Sequence, residues 1–349
     1  MTAPAVNCLR ERLPGLHLII QTQVPRPFLE SRFEGPFDLV CETPDFGMEM
    51  RSAIGVLPEE SHQRYHRLHD RLEQVITAET ERLRALAPDL VLSNIPYVTM
   101  EAASRLGVPV IGLSSLNWAD IYRSYCAAMP GASRIHREMM DCYSRAKVIL
   151  RPQPAMPMED FPHARAIGPI ARAGRRRRDE VSARLGLGQG ERAALVIFGG
   201  LNIALPLECW PRLPGWRWIM APPPPPGRDD MVPLEALEMP TTDVLASCDA
   251  LITKTGYGTF AEAAVNGVPT LFLKRPDWPE GPPLEDWLIR HARALPLDVE
   301  QMLAKELGDH LQSVLALPPK PPVKATGISE AADIMESLLA KTWLPGCPT

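Results

Sequence analysis

A chain of 349 residues is longer than one ordinary domain, so two domains, each with its own core, are expected. A hydrophobic fraction of 45% beside 23% charged residues excludes wholesale disorder, and a net charge of -5 gives no electrostatic reason for a nucleic-acid or anionic-membrane partner. Seven scattered cysteines without a Cys-x-x-Cys pair read as reduced thiols, and no apolar run reaches the roughly 18 residues of a membrane span, so a cytoplasmic protein is expected, peripheral membrane contact being compatible.

In chain order, Ala5, Val6, Leu9 and Leu13 have helical spacing and lead into a strand. A Rossmann-like half opens with a strand and a glycine-rich loop ahead of such a helix. The first domain is therefore expected to lack its opening strand and loop, the true start lying upstream. Strands are predicted over residues 16–21, 38–41, 90–93, 109–113, 147–150, 194–198, 216–220, 250–253 and 270–273, alternating with helices such as the one carrying Leu68, Leu72, Val75, Ile76, Leu83 and Leu86. Alternation of this kind predicts an α/β fold of parallel sheets covered by helices.

His62, His66 and His69 have the i, i+4, i+7 spacing that could clasp a metal, but Glu59, Glu60, Arg64, Arg67 and Arg71 surround them. A solvated helix face is expected there, and no metal site. Residues 114–122 follow a first-half strand, on the side where parallel sheets bind ligands. Asp120 there has two readings, a general base or a helix cap. The run Arg175, Arg176, Arg177 and Arg178 falls in a solvated linker, residues 171–190, between domains at 1–170 and 191–349. Gly199 and Gly200 follow the first strand of the second half, as a ligand-facing loop or an ordinary turn.

Shifting the chain by 160 residues lays residues 89–113 on residues 249–273 without a gap. Asp89, Tyr97, Thr99, Ala103, Gly107, Val108, Pro109 and Leu113 meet identical residues. Each half thus carries the same strand, turn, helix and strand, which predicts two Rossmann-like domains. Where the first copy has Pro96 and Val98, the second has Gly256 and Gly258, a loop expected to use positive backbone dihedrals and to admit an anion to main-chain N–H groups.

The glycine turn has three readings. Thr259 and Glu262 fit a capping box. Residues 256–261 fit G-x-G-x-x-A, with Asp277 in the place of a ribose-binding acid, which would make the protein an NAD-dependent oxidoreductase. Third, the segment SCDALITKTGYGTFAEAAVNGVPTLFLKR resembles the donor-binding segment of GT-B glycosyltransferases of the MurG and UDP-glycosyltransferase type. Together with PEGPPLEDWL and the helix GISEAADIMESLL it also resembles the glycosyltransferase-like part of arabinokinase-type proteins.

That resemblance implies two Rossmann-like domains facing a cleft and transfer of a sugar from a nucleoside-diphosphate sugar, UDP-linked in type, to a small-molecule or lipid-linked acceptor. It assigns Gly256, Gly258 and Thr259 to the donor diphosphate and Glu262 to the ribose, with Gly199 and Gly200 on the same donor. Glu280, Glu285 and Asp286 stand where the family places its sugar-contacting acids, although the local sequence departs from the family pattern. It implies neither metal nor cofactor. A non-catalytic nucleotide-binding protein of the same fold is the alternative.

Overall fold

The structure is a computed structural model, and it describes all residues except 52–54, 162, 199–206, 222 and 344–349. The Gly199 and Gly200 expectation lies outside the described residues. The chain runs α1 (Thr2–Arg12), β1 (Ile19–Gln21), α2 (Arg26–Glu30), β2 (Asp38–Val40), α3 (Pro58–His69), α4 (Leu72–Leu86), β3 (Val91–Ser93) and α5 (Tyr97–Arg105). It continues through β4 (Val110–Leu113), α6 (Trp118–Cys126), α7 (Ala132–Tyr143), β5 (Val148–Pro152), β6 (Ala164–Ile167) and α8 (Arg178–Leu185). Then come β7 (Arg192–Val196), β8 (Trp216–Met220), β9 (Met231–Pro233), α9 (Thr241–Ser247), β10 (Ala250–Lys254), α10 (Tyr257–Asn266) and β11 (Thr270–Leu273). The last elements are α11 (Gly281–His291), β12 (Ala294–Leu297), α12 (Val299–Leu303), α13 (Leu307–Ala316) and α14 (Gly327–Trp343).

Two compact units divide the chain between Ile170 and Ala171, and the chain from Thr326 onward returns to the first unit. This corrects the division read from the sequence in two places. Helix α14 belongs to the first unit, where Ala331, Ala332, Met335 and Leu339 pack in one cluster with Ala5, Leu9, Ile111, Leu113 and Leu150. Residues 171–190 are not a free linker. They contain α8, whose Val181 and Leu185 join the core of the second unit with Leu195, Ile219 and Leu251. In the basic run, Arg178 pairs with Asp249 at 2.7 Å and Arg177 pairs with Glu180 at 2.5 Å.

The second unit is a six-stranded parallel sheet in the order β12-β11-β10-β7-β8-β9. Its central strands are buried on both faces, as a sheet covered by helices on each side requires, so they read as unbroken apolar runs. The first unit holds a four-stranded parallel sheet, β3-β4-β5-β6, and a separate parallel pair, β1-β2. The predicted helix through Leu68 and Leu86 is two helices, α3 and α4, broken at Asp70 and Arg71, where Arg71 leaves helical backbone at φ -129° and ψ 26°.

The 160-residue match is realised residue for residue. Helices α5 and α10 begin at Tyr97 and Tyr257, and β3 pairs with β4 through Val91 and Val110 as β10 pairs with β11 through Leu251 and Thr270. Gly107 and Gly267 end the two helices at φ +70° and +66°, the left-handed backbone that favours glycine.

Helix α14 is seated by a close backbone approach. A Cβ on Gly327 would lie 1.9 Å from the carbonyl oxygen of Gly168, and one on Gly168 would lie 2.0 Å from Thr326 Oγ1. Gly327→Ala should therefore destabilise the protein by about 1–3 kcal/mol through backbone displacement, lowering the thermal melting temperature. An unchanged melting curve would contradict this account of how α14 is held.

Candidate anion site at the start of helix α10

Strand β10 ends at Lys254, and after Thr255 the chain passes through Gly256 into α10. Gly256 is the N-cap, with extended backbone at φ -179° and ψ 139°, and among the described residues no side chain accepts from the N–H of Gly258 or Thr259. Gly258 lies inside the first turn. Neither glycine uses the positive dihedral expected of it. Among the described residues, a Cβ on Gly258 would meet nothing within 4 Å, and one on Gly256 would meet only Lys254. Thr259 is the third helical residue, not the cap, so the capping-box reading is corrected, and the N–H groups of Gly258 and Thr259 belong to the first turn, whose donors have no acceptor within the helix itself.

Lys254 was missed in the sequence, where it read as the polar end of a strand. Its Nζ lies 3.9 Å from the position of a Gly256 Cβ, beside the helix start. Burial, then the charge of Arg275, push its ammonium down to about 8 against the opposing pull of Glu280. Among the described residues it makes no ion pair or hydrogen bond through Nζ. A half-buried cation beside the first-turn N–H groups of a helix, with a second cation near it, favours an anion.

The acids behind this turn brace it. Glu285 Oε1 accepts from the Thr255 hydroxyl at 2.6 Å and the Arg275 N–H at 3.2 Å, tying the ends of β10 and β11 together. Glu280 is 6% exposed, and its Oε2 accepts from the Trp278 indole at 3.1 Å, while the Arg275 guanidinium lies 4.5 Å over the Trp278 ring. Asp286 is exposed. Glu262 is half-buried on the second turn of α10, and its carbonyl accepts from Asn266 Nδ2 at 2.8 Å. Asp277 follows the end of β11 by four residues, inside the turn that leads to α11, not at the strand end.

The first unit answers the same structural problem with its own carboxylate. At the start of α5, Asp45 Oδ2 accepts from the N–H of Val98 at 2.8 Å, and the N–H of Tyr97 also donates to Asp45. Tyr97 and Val98 correspond by the 160-residue shift to Tyr257 and Gly258. Asp45 is 5% exposed, and burial, opposed by these backbone donors, pushes its carboxyl up to about 7. Asp45 also lines a cavity of about 900 Å³ with Gln23, Thr43, Gln74, Glu79 and several arginines, among them Arg67 and Arg71.

Asp120 is neither a free base nor the cap. Asn117 caps α6, accepting from the Asp120 N–H at 2.7 Å and donating its Nδ2 to Asp120 Oδ2 at 2.7 Å; Arg123 lies 2.8 Å from Oδ1. Burial raises this carboxyl, but His136, Asn117 and Arg123 outweigh it and hold it below the ordinary carboxylate range. The three histidines of α3 diverge. His62 meets the Tyr122 hydroxyl at 2.8 Å and His66 meets Asp70 at 2.9 Å. His69 is buried between Glu138 and the Tyr97 hydroxyl, which corrects the expected solvated face. Among the described residues no cluster of His, Cys, Asp and Glu has the form of a metal site, and no helix is long and apolar enough to cross a membrane.

No family model matches the chain. It is 24% identical over 256 residues to L-arabinokinase of Arabidopsis thaliana, a match that covers 70% of this chain and 24% of that protein. Among solved structures, the glycotransferase of kitacinnamycin superposes with a TM-score of 0.62 at 17% identity, over 97% of this chain and 94% of the other. Arabidopsis thaliana UGT89C1 complexed with UDP gives 0.58 at 14% identity, over 98% and 95%.

The Asp45 arrangement makes a measurable statement about stability. The folded chain holds this proton to higher pH than an unfolded one, so its contribution is complete below about pH 3.8 and is lost as pH rises through about 7. Asp45→Asn, which keeps an acceptor oxygen but cannot ionise, should flatten the fall in urea midpoint between pH 5 and 8. Asp45→Ala should lower stability by about 1 kcal/mol at both pH values through loss of the cap. A wild-type midpoint that rises over that interval would contradict the assignment. With parallel strands, alternating helices and these likenesses over nearly the whole chain, the fold is the α/β fold of the GT-B glycosyltransferases.

Proposed function

We propose that the protein is a glycosyltransferase that moves a sugar from a nucleoside-diphosphate donor, UDP-linked in the first instance, to an acceptor hydroxyl. The observation that carries this reading is the start of α10, where among the described residues no side chain accepts from Gly258 or Thr259 and Lys254 stands beside them, at the place where the first unit installs Asp45. The N–H groups at Gly258 and Thr259, with Lys254, would hold the diphosphate. Glu262, one turn on, would take the ribose hydroxyls, since a carboxylate can accept two hydrogen bonds at once. Negative charge grows on the diphosphate as the bond to the sugar breaks, and donors already in place stabilise it without reorganisation.

This assignment needs neither metal nor cofactor, because the chain supplies the compensating charge. Glu280 and Glu285 serve the site by bracing it. The cavity bearing Asp45 is the place in the first unit for an acceptor of small-molecule size. The free thiols of the described cysteines accord with a reducing, cytoplasmic setting.

Calorimetric titration with UDP tests the reading, NAD serving as the competing ligand. Lys254→Met should weaken UDP binding about 10- to 100-fold, the value of a charge-assisted hydrogen bond of ~1.5–3 kcal/mol. Wild-type affinity should fall as pH rises through about 8, where Lys254 loses its proton, and the variant should lack that fall. Binding of NAD without UDP would overturn the donor assignment. Sugar transfer should persist in excess EDTA, and its abolition would contradict the metal-free mechanism.

A further inference from the structure

Four arginines and four acids line the cavity of about 900 Å³ in the first unit, so a formal count of charge leaves its wall neutral. Their partners distribute that charge unevenly. Arg64 pairs with Glu49, which is not on the wall, and its guanidinium stands 3.7 Å over the Phe46 ring. Arg82 is shared by Glu42 and Glu79. Glu79 is fully buried and also accepts from Gln21 Nε2 and from the Thr99 hydroxyl, each at 3.1 Å. Asp70 is held by His66 at 2.9 Å and Arg134 at 3.1 Å, both from outside the wall. Asp45 Oδ2 is taken by the Val98 N–H.

Arg67 and Arg71 are left over. Among the described residues neither guanidinium has an ion pair, a hydrogen bond or an aromatic ring against it, although both are exposed and both line the cavity. They stand about one helical turn apart. The Asp70 N–H still donates to His66 O and the Arg71 N–H to Leu68 O, before Arg71 leaves helical backbone to begin α4. Side chains so spaced are neighbours, and like charges there repel, so the pair does nothing for the fold. On a convex surface it would be solvated charge and no more. On the wall of a concavity its field is concentrated on whatever enters. Leu68, Val75 and Ala78 add an apolar stretch to the same wall.

We propose that Arg67 and Arg71 together bind a phosphate monoester group carried by the small molecule that occupies this cavity. Two fixed positive charges match a dianion, and the planar guanidinium fork fits phosphate oxygens through paired N–H donors. The apolar stretch would take the uncharged body of the molecule. Under the proposed function this molecule is the acceptor, so the acceptor is a phosphorylated one. That last step rests on the transferase reading, whereas binding rests on the arginines alone.

The test uses protein labelled with ¹³C at arginine Cζ and titrated with methyl phosphate at about pH 7.5, where a monoester is largely a dianion. The Arg67 and Arg71 resonances, identified by their absence in Arg67→Gln and Arg71→Gln, should move saturably. Each substitution should weaken the response of the remaining arginine about 10-fold, with no change in melting temperature, because neither side chain bonds to the fold. Acetate should bind about 10-fold more weakly than methyl phosphate, and Lys254→Met should leave both responses intact, which separates this site from the start of α10. Four results would overturn the proposal: no saturation, the same movement with sodium chloride at equal ionic strength, equal affinity for acetate, or loss of the response in Lys254→Met. No nucleotide enters this titration, so a failure of UDP to bind would count against the transferase reading alone. A methyl phosphate titration that fails while UDP still binds would remove only the arginine site.

Discussion

A helix that follows a parallel strand begins with N–H groups its own backbone cannot satisfy, and the arrangement of this protein's two units turns on what accepts from them. The two matched copies give opposite answers. At α5 a buried side chain, Asp45, takes the donors of Tyr97 and Val98. At α10 the corresponding residues are Tyr257 and Gly258, and among the described residues no side chain accepts from Gly258 and no atom stands where its Cβ would be. One copy is closed by a carboxylate of the chain itself, and the other is the one we propose to receive an external anion.

The surroundings of α10 follow from keeping that opening rigid and positive. Lys254 ends β10 inside the protein, and the aromatic face of Trp278 supports Arg275. Glu285 joins Thr255 to Arg275, so the two loops that frame the opening move together or not at all. The cost of burying Lys254 is visible in its lowered proton affinity, and an anion of the ligand would repay it.

Much of this was legible in the chain. The 160-residue match located both turns, and the central strands announced themselves as apolar runs. The three strands not predicted, β6, β9 and β12, all lie at sheet edges, and β9 and β12 carry Pro233 and Pro296, residues that edges tolerate and that interrupt a strand pattern. The proposed anion site rests on the two glycines singled out in the sequence, but neither takes the positive dihedral expected of it. Lys254 and Asp45 were not readable. Their roles depend on burial and on contacts with residues distant in sequence, 53 positions in the case of Asp45 and Val98. Glu280 and Glu285 came from the family resemblance; in the structure Glu285 joins Thr255 to Arg275 and Glu280 accepts from Trp278, contacts distant or turn-specific enough that no sequence pattern announces them.

The most direct measurement is on protein selectively labelled with ¹⁵N-glycine and titrated with UDP. The account predicts saturable movement of the Gly258 amide resonance, with a parallel but much weaker response at the same UDP concentration in Lys254→Met. UDP binding that leaves Gly258 unmoved would place the nucleotide elsewhere and contradict the account.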